Sequence, residues 1–395
     1  MTSRIRGLDR RSFLAGTAAT GLSAGVMPGI AWSAADTTPK RGGTIRHAKG
    51  HGNTNDTLDP ATWTNGFTVA LPFGMHGYLT KVATDGSVEP DLAESWEATP
   101  DARTWRFKIR QGVTYHSGKP LSLDDIVDSI NHHRGEESTS VAKPLVDPIV
   151  SIATEGDNTV VFELSAGSAD FPFVFTDYHM AIVPSDGSGG IDWRSGDGCG
   201  AYKLIEFQPG VVARLERHTE DWNQNRGWFD AVEMLSVVDV NARTSSLVSG
   251  EVDVIDKLDL KTVSMLGRDP SLAIHSIAGP QYYSFAAQAD TAPYDDVNVR
   301  LALKYGIDRQ ELVDKILFGH GTVGNDQPIG PSYRFHDPDI AQHSYDPDKA
   351  KFHLREAGLD GLDVTLSAAD AAFPGAVDAA VLYKNSASAA GIDIN

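Results

Sequence analysis

The chain has 395 residues, 41% hydrophobic and 22% charged, which gives enough apolar material for two or three packed units and excludes a disordered polymer. Its formal charge is -19, and the first 35 residues hold four arginines against one aspartate, so residues 36–395 carry -22. A surface that acidic repels nucleic-acid phosphates and anionic lipid headgroups, and a single cysteine, Cys199, excludes an internal disulfide and a Cys-based zinc cluster.

The first element is an export address, residues 1–35. Arg10-Arg11-Ser12-Phe13-Leu14 opens a weakly apolar stretch of small residues, and Ala31-Trp32-Ser33-Ala34-Ala35 closes it. Positive start, apolar middle and small-residue end define a signal peptide, with cleavage expected within residues 33–36. The paired arginines resemble the twin-arginine export signal. Gly16, Gly21, Gly25, Pro28 and Gly29 argue against a spanning helix. No cysteine stands nearby, so a lipid anchor is not expected.

Thr44–Ala48 reads as the first strand, followed by a polar loop from His51 to Asn65. Glu89–Trp96 reads as a short helical turn. Thr104–Ile109 alternates polar and apolar residues, the pattern of a strand with one buried face. Ser122 and Asp125 form a capping box, predicting a helix that runs to Arg134 and stops at Gly135. Val160–Leu164 is a strand. Tyr202–Ile205, Val211–Leu215 and Met234–Val238 are strands, Ala242–Ser249 a helix, and Val252–Ile255 a strand, an alternation that predicts parallel sheets with helices on their faces. Tyr282–Ala286 reads as a strand and Asp296–Tyr305 as a helix. Asp308 with Glu311 boxes the next helix, and Asp346-Pro347 starts another that ends before Gly358. A last helix, Val377–Ala390, precedes the strand Ile392–Ile394. There is no internal repeat.

In this order, the segments Gly86–Glu97, Thr104–Val113 and His116–Ile126 resemble the peptide/nickel-type solute-binding proteins of ABC importers, the family of dipeptide- and oligopeptide-binding proteins. Pro293–Arg300 with Gly306–Arg309, and Tyr345–Leu359, extend the likeness over the mature chain. The resemblance implies an α/β fold of the periplasmic binding protein-like II type, with two lobes around a ligand cleft and a third, smaller subdomain. Residues 36–80 and 185–275 would form the first lobe, 81–184 the small subdomain and 276–395 the second lobe. It implies a periplasmic, monomeric binding component that traps a small peptide or peptide-like solute by hinge closure and delivers it to the permease subunits in the inner membrane. Two features depart from the family: Gly198-Cys199-Gly200-Ala201-Tyr202 replaces its Gly-Thr-Gly-Pro-Tyr turn, and family members continue beyond Asn395. That further segment is expected to complete one lobe and add ligand contacts.

Other chemistry finds no support in the residues. Gly196–Ala201 fits a dinucleotide fingerprint by letter, but a strand follows it where a helix is required. Gly112–Lys119 is one residue too long for a phosphate loop, and Pro120 stands where a hydroxyl would bind magnesium. Asp124 with Asp125, and His132 with His133, are adjacent pairs that point to different sides of a helix, which suits neither acid/base catalysis nor a shared metal. No cofactor, metal or catalytic residue is expected, and Cys199 reads as a buried small residue. A secreted hydrolase, or a sensor or chaperone on the same fold, is the alternative function. A ligand cleft calls for aromatics with a few polar groups. The candidates are Trp63, Thr64 and Asn65 after the first strand, Tyr178 and His179 near one crossing between subdomains, and Tyr282, Tyr283 and Gln288 at the return crossing.

Overall fold

Every second residue of Thr104–Ile109 is buried, Trp105, Phe107 and Ile109, and this alternation seeds the densest core. The structure, a computed structural model, describes residues 39–277, 281–324, 326–331, 333, 335–369 and 372–395. The signal peptide lies outside the described residues. The strands are β1 (Thr44–Lys49), β2 (Thr80–Val82), β3 (Val88–Pro90), β4 (Ala93–Ala98), β5 (Thr104–Ile109), β6 (Ile149–Glu155), β7 (Thr159–Leu164), β8 (Tyr202–Gln208), β9 (Val212–Arg217), β10 (Ala231–Ser236), β11 (Val254–Ile255), β12 (Leu362–Val364) and β13 (Ile392–Ile394). The longer helices are α1 (Gly66–Met75), α2 (Leu123–Asn131), α3 (Val240–Val248), α4 (Val297–Gly306), α5 (Arg309–Lys315), α6 (Pro347–Glu356) and α7 (Ala376–Ser388).

A four-stranded sheet runs β4-β5-β7-β6. Trp105 lies opposite Phe162 and Phe107 opposite Val160. The Phe107 ring meets Phe162 edge-on at 5.6 Å and Phe175 at 5.1 Å, the geometry that aromatic quadrupoles favour. Burying one such side chain contributes about 2–3 kcal/mol. Helix α2 closes this core with Ile126 and Ile130. Its start is the capping box: Ser122 N donates to Asp125 Oδ2 at 2.7 Å while the Ser122 hydroxyl caps the Asp125 amide. Asp125 is fully buried and also accepts from Lys119 Nζ and Ser185 N.

A five-stranded mixed sheet runs β11-β1-β10-β9-β8. Phe67, Leu71 and Met75 of α1 pack on Ala213, Leu215 and Met234. Toward the chain's end, α4, α6 and α7 enclose Val299, Ala302, Leu354 and Tyr383 beside the parallel pair β12-β13.

Four expectations are corrected. The sheet built from residues 202–255 with β1 is parallel only at β11-β1-β10; β10-β9 and β9-β8 are antiparallel, because a short turn joins β8 to β9 and no crossover helix stands between β9 and β10. Glu89–Trp96 is not a helical turn: it ends β3, bends at Asp91 and Leu92 and opens β4; β4 pairs with β5 and stacks Trp96 on Phe107 at 6.0 Å, and this pairing overrides local propensity. Tyr282–Ala286 is not a strand. No strand pairs with it among the described residues; Phe285 packs on Tyr383 at 5.3 Å instead. Helix α2 stops at Asn131 with His132 as its cap, short of Arg134.

Candidate functional site

The loop between β1 and α1 is built by its polar side chains. Asp56 accepts from Asn53 N at 2.9 Å and from Asn65 Nδ2 at 2.7 Å, which draws the two ends of the loop together. The Asn65 side-chain oxygen caps α1 by accepting from Phe67 N and Thr68 N, so both ends of its amide serve the architecture. Asp59 caps the turn Pro60–Thr62 and takes a 2.7 Å contact from His132 Nε2. Trp63 is 2% exposed, and its indole N–H donates to Thr57 O at 3.1 Å. Thr64, beside it, is exposed.

This loop is held against the turn Tyr178–Met180. His179 is buried; its Nε2 donates to Trp63 O at 2.8 Å and its Nδ1 lies 2.6 Å from Asp177 Oδ1. Burial acts to raise the Asp177 carboxyl, but the hydrogen bonds from the His179 ring and amide outweigh it and hold the group below its usual range. The Tyr178 ring lies 4.0 Å from that of His179, and Tyr178 O accepts from the Tyr78 hydroxyl at 3.3 Å. Trp63, Tyr78 and Ala181 share one small core, with Tyr178 packed on it half-buried. His133 is fully buried behind this group, 6.5 Å from the His179 ring and 5.4 Å from that of His132. Its Nδ1 meets Ser140 Oγ at 2.7 Å, and burial pushes its ordinary 6.5 down to about 4.

The structure therefore brings Trp63, Asn65, Tyr178 and His179 to one junction and gives Trp63, Asn65 and His179 roles in holding it. Tyr282 is 62% exposed and Gln288 is exposed. Tyr283 stacks on Phe373 with ring centres 4.3 Å apart. Among the described residues no hydrogen bond or ring contact links these three to the junction. Sequence reasoning missed Tyr78, Asp59, Asp177 and the two histidines that tie the junction together. The Asp59 turn, a cap followed by Pro60, was the one local signal for any of them. Each of His132 and His133 has its own partner, and no set of three potential ligands could hold a metal ion among the described residues.

The Gly198-Cys199-Gly200 turn is packed against the end of α1. A Cβ at Gly198 would stand 2.0 Å from Met75 O, and one at Gly200 2.6 Å from Gly74 O, so both glycines are required by close approach. Cys199 is buried, and burial pushes its thiol up to about 12, which leaves it without nucleophilic character at neutral pH. Among the described residues no helix is long and apolar enough to cross a membrane.

The family model of bacterial extracellular solute-binding proteins, family 5 middle region, matches residues 87–395. Heme-binding protein A of Haemophilus influenzae is 26% identical over 304 residues, covering 70% of this chain and 55% of that protein. The dipeptide-binding protein of Escherichia coli is 25% identical over 332 residues, covering 77% of this chain and 61% of its own. The chain thus spans somewhat more than half the length of these two relatives. NikZ from Campylobacter jejuni, solved in complex with Ni(L-His), superposes with a TM-score of 0.76 at 19% identity over 89% of this chain and 73% of that one, a likeness of fold. The chain belongs to the bacterial extracellular solute-binding proteins of family 5.

Proposed function

We propose that this protein is the solute-receiving component of an ABC importer, acting outside the inner membrane on a small peptide or peptide-like solute. The observation that carries this reading is the family match over residues 87–395, on a chain whose sequence shows no nucleophile paired with a base. The peptide class is supported by the dipeptide-binding relative. A twin-arginine signal in residues 1–35 delivers the protein to the periplasm. There it works as a monomer and docks on permease subunits. Residues 36–80 with 185–275 form one lobe, 81–184 a smaller subdomain, and 276–395 part of the second lobe. The junction of Trp63 with Tyr178 and His179 fastens the first lobe to the smaller subdomain, and Thr64, Tyr282, Tyr283 and Gln288 offer side chains to the solute. Closure of the lobes traps the solute, and no bond is broken.

The experiment is native mass spectrometry of the protein recovered from periplasm, followed by calorimetry with the solute that co-purifies. Stoichiometric binding, with the solute intact after prolonged incubation, is the expected result. Steady appearance of cleaved product would replace the binding reading with hydrolysis.

A further inference from the structure

The carboxyl ends of β11, β1 and β10 lie side by side, and they gather positive charge in a chain of net -19. Arg243 of α3 is 3% exposed and is held by carbonyls alone: Asp256 O at 3.0 Å, Val237 O at 2.6 Å, Val238 O at 3.0 Å and Lys257 O at 2.9 Å. Those bonds fix the guanidinium without neutralising it. Two carboxylates stand near, and both are occupied. Asp256 accepts from Gly50 N at 2.8 Å and pairs with Lys49 at 2.7 Å. Asp239 caps α3 by accepting from Ala242 N at 2.7 Å.

His51, just past the end of β1, sits between two donors. Gly66 N–H points at its Nδ1 from 3.1 Å, and Lys257 Nζ is 2.9 Å from its Nε2. A neutral imidazole accepts one hydrogen bond and donates one. Gly66 N–H cannot turn away, so Nδ1 is the acceptor and the ring hydrogen is on Nε2, facing the Lys257 ammonium. Protonating the ring would only add a donor. One acceptor is missing at this point. Lys257 also holds φ 50°, the left-handed region that a lysine seldom adopts. At the end of β10, opposite Lys49, Ser236 buries a hydroxyl that has no hydrogen-bond partner among the described residues. Gly52 passes over it so closely that a Cβ there would stand 2.3 Å from that oxygen. Lys257 is exposed and His51 half-buried, so the spot is open to a ligand.

We propose that a carboxylate of the bound solute completes this edge, bridging His51 Nε2–H and the Lys257 ammonium at the carboxyl ends of β1 and β11. A carboxylate supplies the missing acceptor and offsets the local positive charge; a water molecule accepts the same hydrogen bonds but brings no charge. Carboxyl ends of parallel strands are where open α/β sheets present ligand sites. The subsite deepens the binding function proposed above and rests on it.

The test follows the ring nitrogens of His51 by NMR during titration with sodium acetate, glycylglycine and glycylglycinamide. The protein is compared with its Lys257→Asn variant, since asparagine tolerates the left-handed backbone and removes the charge. Acetate and glycylglycine should move the Nε2 signal saturably and glycylglycinamide should not. The variant should keep its melting midpoint and bind acetate about tenfold more weakly, the worth of one charge-assisted contact. A His51 signal unmoved by acetate and glycylglycine up to tens of millimolar, or equal affinity in the variant, overturns the subsite. Dipeptide binding that leaves His51 unmoved removes the subsite and keeps the binding function. An acetate response at His51 with no dipeptide binding keeps the subsite and removes the peptide reading.

Discussion

Lowering the pH from 7 to 5 should loosen the junction of Trp63 and His179 through His133. This imidazole is fully buried, with His132 and His179 as its ring neighbours and Asp59 close by. Burial, reinforced by those histidines, lowers it from 6.5 to about 4 in the folded protein. Because the folded value is depressed, the unfolded chain takes up the proton first. The contribution of His133 is therefore undiminished above pH 6.5, falls as the pH drops through the interval between 6.5 and 4, and levels off below it. His76 and His116, which burial lowers to about 3 and about 4, add to the loss in the same window, so the difference between the protein and a His133 variant isolates this group. The His133 gap is worth about 3 kcal/mol in full, and about 2 kcal/mol of it is already lost at pH 5. Asp59 and Asp177 are both held below the usual carboxylate range, so their own acid loss falls at lower pH and does not overlap. The assay is urea unfolding followed by tryptophan fluorescence at pH 7.5, 6.5, 5.5 and 4.5, for the protein and for His133→Asn. The amide keeps a hydrogen-bonding atom near Ser140 Oγ and cannot titrate. The variant should start about 1 kcal/mol less stable at pH 7.5 and lose stability less steeply, by about 1.4 kcal/mol per pH unit. Two curves that fall in parallel from 6.5 to 4.5 would refute the assignment of the acid response to His133.

Replacing Arg10 and Arg11 by lysine should leave precursor in the cytoplasm; fractionation and immunoblotting check this, and undiminished periplasmic protein would sink the twin-arginine signal. Cys199 should resist a thiol-reactive disulfide reagent in the folded protein and react at once in urea, since burial pushes the thiol up to about 12; fast native labelling would show that the turn opens. Asn65→Ala should cost about 1–2 kcal/mol in urea unfolding through the lost helix cap. If solute affinity falls while stability does not, Asn65 contacts the solute and its place here as cap is wrong.

The residues whose roles could be read from sequence have their partners close along the chain. Ser122 finds Asp125, Asp308 finds the Glu311 amide and Asp346 finds the Lys349 amide, each three residues away. A cap is settled within one helical turn, so four residues contain the whole interaction. Alternation worked for Thr104–Ile109 for the same reason, since a strand's own pattern names its buried face. The candidate site offers no such locality. His179 meets Trp63 across 116 positions, His132 meets Asp59 across 73, and Lys257 meets His51 across 206. Nothing within a few residues of His179 distinguishes a ligand contact from a bracket that holds a loop, and the bracket is what its two hydrogen bonds describe. Trp63 and Asn65 stand out by type and position, and their types suit a core and a cap as well as they suit a cleft. Lys257 carries no local signal, because a lysine after a strand is ordinary. Only the fold reveals that its ammonium faces an imidazole nitrogen already committed to donating. That mismatch of donors is a property of two distant segments held at one sheet edge, and a carboxylate is the group that resolves it.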